Sequence, residues 1–403
     1  MAEKELITFF EEFLKRKPLF LNKKVLQSNF TPESIPHRGN EIKQIADILA
    51  PSLKTEKPSN LFIYGKTGTG KTVSIRYVTN KIKEVAGQQN IPVRFFYLNC
   101  KLKKIADTEY RLAAQLIREF GKDIPPTGLP TDEVYKVLFG LIDETKQLVV
   151  IILDEIDQLV KKAGDEILYN LTRINSELEN SQVSIIGISN NLFFRDHLDP
   201  RIKSSLSEEE MVFPPYNAVQ LQQILKHRAE KAFGKGILEQ GVIEKCAAYA
   251  AREHGDARRA LELLRVAGEL AERKGLEKVE IEHIDEAEEK IEKDRIQDVV
   301  KTQPKQHQAT LYAILSVCNG KNGPIFTGEV YELYKRVCIK TGLRPLTQRR
   351  ISDIIAELDM LGIINAKVKS KGRYGRTREI SLAVSNSTRP KIKQLLEEGL
   401  HLT

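Results

Sequence analysis

The residues whose types and spacing most clearly indicate a chemical role lie in one short loop, YGKTGTGKT, at positions 64–72. The loop matches the pattern G-x-x-x-x-G-K-[S/T] at every fixed position and lies between an apolar run and a helical pattern. Its glycines let backbone N–H groups turn toward anionic oxygens, and the following helix directs its positive dipole end at them. Lys71 is expected to neutralise the β- and γ-phosphates of a nucleotide, while the Thr72 hydroxyl ligates Mg²⁺. The nucleotide-binding residues predicted in this segment are Gly65, Lys66, Thr67, Gly68, Thr69, Gly70, Lys71, Thr72 and Val73.

An acidic pair supplies the second part of such a site. The segment LVVIILDEID places Asp154 and Glu155 directly after a buried-strand pattern. Alone, an acidic pair in this position often serves only as a helix cap. In a parallel sheet, however, it would lie at the same edge as the phosphate loop, residues 65–72. The pairing predicts that Asp154 holds Mg²⁺ through water and that Glu155 orients or deprotonates the attacking water. The sequence therefore predicts a site for ATP and Mg²⁺.

The elements that position these groups follow an alternating pattern. Short runs rich in β-branched and aromatic residues alternate with amphipathic segments between about residues 61 and 213, which is typical of an α/β layer with a parallel sheet. Only helical patterns follow, to about residue 293, and the last hundred residues begin with helices and turn to a β-hairpin near Gly372. The predicted domains are a nucleotide-binding base with its N-terminal segment at 1–215, a helical lid at 216–298 and a third domain at 299–403.

Composition narrows the class of protein. Among 403 residues, Lys and Arg number 63 and Asp and Glu 55, so the net charge is +8 and its distribution matters more than its size. No apolar run approaches the roughly 18 residues of a membrane span, and MAEKELITFFEEF lacks the charged-then-apolar order of a signal peptide. The four cysteines are scattered, with no C-x-x-C pair, which favours idle thiols over zinc or redox chemistry. A cytoplasmic location, with no membrane partner, is expected.

Three further groups follow in an informative order. VSIIGISNN ends a strand pattern at Asn190 and Asn191, DPRIKSSL carries Arg201, and GDARRALELLRVA carries Arg258 and Arg259 at a helix start. Taken alone, a polar residue at a strand end or an arginine at a helix start more often has a purely structural role. Together with the loop and the acidic pair, they resemble an AAA+ ATPase. That resemblance implies that Asn190 occupies the sensor-1 position, that Arg258 occupies the sensor-2 position, and that Arg201 is an arginine finger serving a neighbouring subunit's nucleotide.

The same resemblance implies a pocket between base and lid. Tyr216 and Arg228 would line it, and Arg38, in PESIPHRGNEI, would approach the adenine. A nucleotide that touches both bodies can bias their angle, and its hydrolysis removes that bias. Both a switch and a motor need this property, so the site alone does not choose between them.

The C-terminal region indicates the partner. RPLTQRRISDIIAELDMLGIINAKV predicts a helix from about residue 347 to 361, and KVKSKGRYGRTREISL predicts a basic hairpin after it. This is the plan of a winged helix, in which a helix enters the major groove and the hairpin reaches phosphate or the minor groove. Many winged helices bind protein instead, but the hairpin holds no acid between positions 367 and 378, which favours duplex DNA. The predicted DNA contacts are Gln348, Arg349 and Arg350 on the helix, and Lys369, Lys371, Arg373, Tyr374 and Arg376 on the hairpin.

Nearly the whole chain, roughly residues 18 to 396, resembles the archaeal origin-recognition and cell-division-control family of replication initiators. The most specific segments are FTPESIPHRGNEI, NLFIYGKTGTGKT, IGISNN, GDARRALELLRVAGELAERKG and SKGRYGRTREISL, together with the insertion YLNCKLKKIADTEYRLAAQLIREFGKDIPPTGLP. Ordinary AAA+ bases lack this insertion, which contacts DNA in the family. The insertion residues expected to contribute are Lys101, Lys103, Lys104 and Arg111. One departure is Lys66, which adds charge at the mouth of the phosphate loop.

The resemblance implies a protein that binds origin duplex DNA, hydrolyses ATP slowly as a switch and helps to recruit the replicative helicase. It further implies a nucleoid-associated monomer that assembles on DNA, with paralogous initiators as candidate partners. An ATP-regulated winged-helix transcription or signalling regulator has the same layout and is the alternative; the insertion favours the initiator. A helicase motor is disfavoured because the sequence has no pore-type or strand-tracking element.

Overall fold

A computed structural model describes residues 10–11, 17–28, 30–101, 108–125, 128–194, 198–206, 208–319, 325–370, 376–384 and 388–402. The chain divides into two compact units, Met1–Ile284 and Asp285–Thr403. This division falls inside a helix at Ile281–Thr302, whereas the sequence predicts domain boundaries at 215/216 and 298/299, which stay predictions. Within the described residues, no helix is both long and apolar enough to cross a membrane.

A five-stranded parallel sheet forms the centre of the first unit. Its strands are β1 (Leu61–Tyr64), β2 (Val93–Asn99), β3 (Leu148–Asp154), β4 (Gln182–Ser189) and β5 (Glu209–Val212). They lie in the order β2-β3-β4-β1-β5. The order brings β4 between β3, which ends in the acidic pair, and β1, which leads into the phosphate loop. Three predicted site segments therefore meet at one edge of the sheet, with the middle position held by the strand that precedes Asn190.

The sheet separates two apolar cores. All seven residues of β3 are buried, and alternate residues point to opposite faces. Val149, Ile151 and Leu153 belong to one core, and the intervening Val150 and Ile152 belong to the other. The fully apolar run in the sequence is thus explained by burial on both faces, as a central parallel strand requires.

Helices cover both faces of the sheet. They are α1 (Gly39–Leu49), α2 (Lys71–Gln88), α3 (Glu109–Glu119), α4 (Thr131–Asp143), α5 (Ile156–Ala163), α6 (Glu166–Arg173) and α7 (Pro200–Leu206). Short 3₁₀ helices occur at Lys23–Leu26, Ala50–Lys54 and Ile174–Ser176. Helices α1 and α2 contribute to one core, and α3 to α7 contribute to the other. The predicted α/β class is confirmed.

Four helices follow the sheet: α8 (Ala218–Ala232), α9 (Val242–Arg252), α10 (Ala257–Lys274) and α11 (Ile281–Thr302). A capping box between Asn217 and Gln220 caps the N-terminus of α8, and the Asp256 side chain caps the N-terminus of α10. Gly275, in the left-handed conformation with φ of 72°, ends α10. Helices α8 to α10 and the start of α11 belong to the first unit and form the lid. The 3₁₀ helix Lys23–Leu26 packs against α8 and α10. The N-terminal segment is therefore part of the lid's surroundings.

The second unit contains a winged-helix arrangement. Its elements are α12 (Lys305–Asn319), β6 (Ile325–Phe326), α13 (Thr327–Thr341), α14 (Gln348–Met360), β7 (Ile364–Ser370), β8 (Arg376–Leu382) and α15 (Arg389–Leu400). The three strands form an antiparallel sheet in the order β6-β8-β7. The predicted helix and basic hairpin correspond to α14 and to β7 with β8. The apolar residues Ile351, Ile354, Ile355 and Leu358 of α14 are buried, whereas Leu361 follows the helix and is 39% exposed.

Candidate nucleotide and nucleic-acid sites

The phosphate loop places Lys71 at its centre. Gly68 and Gly70 adopt left-handed conformations, with φ of 68° and 94°, that let the loop wrap around the start of α2. The Lys71 side chain is buried, and its Nζ donates hydrogen bonds to the carbonyls of Gly65 and Lys66, both at 2.7 Å. Burial lowers the pKa of Lys71 to about 8. The loop thus holds an ammonium group where a nucleotide's β- and γ-phosphates would lie.

A hydroxyl and a carboxylate meet beside it. The Thr72 hydroxyl donates to Asp154 Oδ2 at 2.8 Å, and the backbone N–H of Glu155 donates to Asp154 Oδ1 at 2.9 Å. The Tyr97 hydroxyl donates to the same Oδ2 atom. Hydroxyl and carboxylate oxygens are the ligands that Mg²⁺ accepts in phosphate sites. The donor set therefore fits the predicted metal, with Thr72 and Asp154 as the residues that would hold it.

The end of β4 completes this edge. Lys71 Nζ also donates to the side-chain oxygen of Asn190 at 2.9 Å. Asp157 holds this strand end, because its carboxylate accepts from the Ser189 hydroxyl at 3.1 Å and from the Asn190 N–H at 3.4 Å. Asn191 points elsewhere and accepts from the N–H of Phe193 at 2.9 Å. Of the two predicted amides, only Asn190 contacts the described phosphate-loop residues.

The lid contacts the loop directly. Asp256 caps α10 by accepting from the backbone N–H groups of Arg258 and Arg259, at 2.8 and 3.3 Å. Its carboxylate lies so close to Gly68 that a Cβ on this glycine would be 1.6 Å from Oδ1. The N–H of Ala257 donates to the Gly68 carbonyl at 3.2 Å. Gly68 is therefore needed for the approach of the lid as well as for the turn.

A cavity of about 350 Å³ lies between these elements. Its lining combines the phosphate loop from Gly68 onward, Val73, the strand-end residues Asp154, Glu155 and Asn190, and lid residues that include Arg258. Tyr216 and Arg228 also line it, as predicted, together with Phe30 and Ile35 from the N-terminal segment. The polar end carries the groups predicted to bind phosphate, and the apolar residues offer a surface on which a base could pack.

Arg228 is a buried cation in this lining. Its Nη1 donates to the Val25 carbonyl at 3.0 Å, and its guanidinium lies 4.6 Å from the centre of the Phe30 ring. Burial lowers the pKa of Arg228 to about 10. The residue thus ties α8 to the N-terminal segment at the cavity wall.

Arg38 lies behind the loop rather than in the cavity lining. Its Nε donates to the Thr69 carbonyl at 2.9 Å, and its Nη2 donates to the Pro214 carbonyl at 2.5 Å. Its Nη1 forms an ion pair with Glu41 at 2.7 Å, and the guanidinium stacks 4.1 Å from the Tyr216 ring centre. All three guanidinium nitrogens therefore contact protein. This geometry favours a clamp on the phosphate loop over the adenine contact that the sequence predicts.

In the second unit, α14 presents its predicted DNA contacts at its first turn. Gln348, Arg349 and Arg350 are exposed, and the Thr347 side chain caps the helix by accepting from the Arg350 N–H. Arg350 Nη1 lies 3.5 Å from Glu357 Oε1. On the hairpin, Lys369 pairs with Glu379 across the strands. Lys371, Arg373 and Tyr374 lie outside the described residues, as does the side chain of Arg376.

Comparisons with known proteins agree with both units. Three family models match the chain: the AAA domain at residues 54–195, the Cdc6 AAA+ ATPase-type lid domain at 222–289 and the CDC6 C-terminal winged helix domain at 298–389. The chain is 57% identical to the ORC1-type DNA replication protein of Pyrococcus abyssi over 93% of its own length and 90% of that protein's. It is 54% identical to that of Thermococcus onnurineus, over 98% and 95%. A structure of the Aeropyrum pernix ORC1 protein in complex with DNA is 46% identical, with a TM-score of 0.84, and the match covers 94% of this chain and 97% of that one. The chain belongs to the ORC1/Cdc6 family of DNA replication initiators.

The remaining predicted residues of this ORC1/Cdc6-type protein occupy other places. Arg201 is exposed on α7, ion-paired with Asp199 at 3.0 Å, and does not line the cavity. Lys66 is exposed, with its Nζ 3.3 Å from His254 Nδ1 in the lid. Lys101 lies 3.8 Å from Glu155 Oε2, and Arg111 is half-buried in the first turn of α3. Lys103 and Lys104 lie outside the described residues.

Sequence reasoning missed four residues at this ORC1/Cdc6-type site. Tyr97 reaches Asp154, and Arg76 stacks 4.0 Å from the Tyr97 ring centre, so a second layer supports the acidic strand end. Asp157 fixes Asn190, and Asp256 joins lid to loop. The motif GDAR contained a signal for Asp256, because Asp immediately before a helix is a preferred N-cap. The sequence held no comparable signal for Tyr97 or Arg76, whose roles depend on which strands become neighbours.

Proposed function

We propose that this initiator binds ATP with Mg²⁺ in the cavity between base and lid, and origin duplex DNA through α14 and the β7–β8 hairpin. Slow hydrolysis of ATP acts as its switch. The observation that carries the proposal is the meeting of Lys71, the Thr72–Asp154 pair and Asn190 at one end of a cavity that the lid also lines. The mild positive charge of the chain and its basic hairpin support the second half.

Phosphate binding exchanges one set of Lys71 contacts for another. The ammonium group now held by the Gly65 and Lys66 carbonyls would turn to the β- and γ-oxygens, while the backbone N–H groups of residues 68–72 bind the same anion. Mg²⁺, when bound by Thr72 and Asp154, would neutralise charge on those phosphates. Asn190, released from Lys71, is then placed to hold the attacking water or the γ-phosphate. Glu155 would orient or deprotonate that water.

The lid makes this chemistry a switch. Arg258 lies in the first turn of α10, two residues after Asp256, which lies against Gly68. A γ-phosphate bound there would contact base and lid together. Loss of that phosphate removes one of the shared contacts and changes the preferred angle between the two bodies. Such a device needs few turnovers, so we expect a weak ATPase.

We further propose that assembly on origin DNA brings Arg201 to a neighbouring copy or paralogue, and that the ATP-bound form helps to recruit the replicative helicase. The exposure of Arg201, away from this chain's own cavity, supports action on a second subunit. The basic residues of the insertion, Lys101, Lys103, Lys104 and Arg111, are proposed to add a second contact to DNA. In this view the protein is a monomer in the cytoplasm until it meets the nucleoid.

Titration of a labelled origin duplex, with ATP, with ADP and without nucleotide, tests the proposal. The control is a duplex of the same length and base composition in scrambled order. Tighter binding to origin DNA, with a nucleotide effect that the Lys71→Ala variant lacks, is the expected result. Equal affinity for the two duplexes would refute origin recognition. A footprinting experiment separates the alternative function: protection confined to promoter DNA would indicate a transcription regulator instead.

A further inference from the structure

An ion-paired network on α14 connects a predicted DNA contact to the interior of the second unit. Arg350 Nη1 lies 3.5 Å from Glu357 Oε1 and 3.7 Å from Asp353 Oδ2. The spacing of three and seven residues places both carboxylates on the same stripe of the helix as Arg350. The two ion pairs therefore hold the Arg350 guanidinium against the surface of its own helix, on the side of Asp353 and Glu357. Both ion pairs engage Nη1, so among the described residues Nε and Nη2 keep their N–H groups for another acceptor.

The second carboxylate oxygen of Glu357 is held by a buried histidine of another helix. Glu357 Oε2 lies 2.6 Å from Nε2 of His307, a residue at the start of α12 whose side chain is only 9% exposed. Within the described residues, Nδ1 of His307 has no hydrogen-bond partner. The contact with Glu357 is thus the polar interaction that orients the ring. The hydrogen bond with His307 also lowers the pKa of Glu357.

The same turn of α12 holds the loop that leads into α14. Gln306 Nε2 donates to the Arg344 carbonyl at 3.0 Å. The Tyr334 hydroxyl donates to Gln306 and accepts from the N–H of Leu346, at 3.0 Å in the latter case. Adjacent residues of α12 therefore fix both the entry of α14 and, through Glu357, one of its side chains.

We propose that Glu357, oriented by His307, restrains Arg350 along α14 and thereby sets how sharply this helix distinguishes its specific duplex from other DNA. The proposal rests on the DNA-binding role proposed for α14. An arginine held by two carboxylates loses those ion pairs if it turns to a phosphate, whereas its unused N–H groups can still meet a guanine edge. The carboxylates also repel phosphate. The arrangement penalises the sequence-independent contact more than the specific one.

The first test compares Glu357→Gln with the parent chain on an origin duplex and on a scrambled duplex. Affinity for the scrambled duplex should rise about threefold to fivefold, the size expected for one exposed ion pair, while affinity for the origin duplex changes less. The ratio of the two affinities should therefore fall. Glu398→Gln, which removes the same charge from α15, should leave the ratio unchanged. Equal changes on both duplexes would overturn the proposal.

Two variants of His307 separate orientation from packing. His307→Gln keeps an N–H near the position of Nε2 and should retain the parent ratio. His307→Leu fills the space without the donor and should lower the ratio as Glu357→Gln does. Thermal unfolding of each variant verifies that the unit is folded. A parent-like ratio in a folded His307→Leu variant would remove His307 from the mechanism.

A double-mutant cycle with Arg350→Ala tests whether Glu357 acts through Arg350. If Glu357 acts through Arg350, Glu357→Gln has no effect on the ratio in the Arg350→Ala background. A persistent effect would mean that Glu357 acts only as a general charge, and the inference fails while α14 keeps its role. If Arg350→Ala alone changes neither affinity, Arg350 does not contact DNA, and the proposed function of α14 fails at that residue.

Discussion

The ammonium nitrogen of Lys71 lies 2.9 Å from the side-chain oxygen of Asn190, and this contact joins the phosphate loop to the end of β4. It forms because β4 lies next to β1 in the sheet, with Tyr64 paired to Ser189. A residue 119 positions away in sequence thus holds the cation that a nucleotide would need. Binding and hydrolysis should consequently respond differently to changes on the two sides of this contact.

Replacement of Lys71 with Ala should abolish retention of ATP and ADP. The variant lacks the buried cation at the centre of the loop, and no other described lysine takes its place in the cavity lining. Isothermal titration calorimetry measures the effect, and circular dichroism verifies folding. Lys81→Ala is the matched control, because Lys81 lies on the same helix, is exposed and pairs with Glu84 at the surface. Undiminished affinity in the Lys71 variant would contradict the assignment of the phosphate loop.

Replacement of Asn190 with Ala should slow hydrolysis more than it weakens binding. The amide is proposed to act on the attacking water or the γ-phosphate, and loss of one such group typically costs about a hundredfold in rate. Single-turnover release of phosphate measures the rate, and calorimetry measures affinity. Asn191→Ala is the control, since the Asn191 side chain accepts from the N–H of Phe193 and does not line the cavity. Equal rates in both variants would remove Asn190 from the reaction.

Much of the candidate nucleotide site and of the candidate DNA-binding helix could be predicted from the sequence, because their parts are local patterns. The phosphate loop, the acidic pair after β3 and the basic first turn of α14 can each be identified from a few consecutive residues. The sheet order could not be derived in the same way. The sequence predicts that the acidic pair lies beside the phosphate loop, but it does not predict that β4 separates the two strands. The Thr72–Asp154 hydrogen bond spans that separation.

The contacts of Arg38 illustrate the other limit. Its nitrogens bind carbonyl groups of Thr69 and Pro214, and the second of these is 176 residues away. Backbone carbonyls are present at every position, so the sequence carries no mark of which ones a side chain will find. The same applies to Asp256 and Gly68, which are far apart in sequence and lie close together only in the folded chain.

Replacement of Tyr97 with Phe should raise the Mg²⁺ concentration needed for tight ATP binding by about tenfold, the lower range for loss of a group that orients a metal ligand. Burial, with Asp154 nearby, raises the pKa of Tyr97, so its hydroxyl stays protonated and can donate to Asp154. Calorimetric titrations over a range of Mg²⁺ concentrations give the midpoint. Binding measured in excess chelator should be unchanged. Tyr77→Phe on α2 provides a comparison, and the same shift there would argue against a specific role for Tyr97.

Replacement of Arg373 and Arg376 with Ala should weaken DNA binding and reduce its salt dependence by about one to two units of log–log slope. The prediction depends on the basic hairpin, since both side chains lie outside the described residues. Anisotropy titrations from low to moderate salt give the slope. Replacement of Lys391 and Lys393 on α15 removes the same charge from another element and should leave the slope near that of the parent. An unchanged slope in the hairpin variant would mean that the hairpin does not contact phosphate.

Replacement of Arg38 with Ala should weaken the binding of ATP, GTP and inorganic triphosphate by a similar factor of about ten. The residue holds the Thr69 carbonyl within the phosphate loop and the Pro214 carbonyl before the lid, so its loss should disturb the phosphate end of the site whatever the base. Arg38→Lys keeps the charge but cannot span both carbonyls, and should resemble Arg38→Ala. Glu41→Ala removes the ion-pair partner alone and should have a smaller effect. A loss confined to ATP, with triphosphate unaffected, would instead place Arg38 at the adenine and refute the clamp.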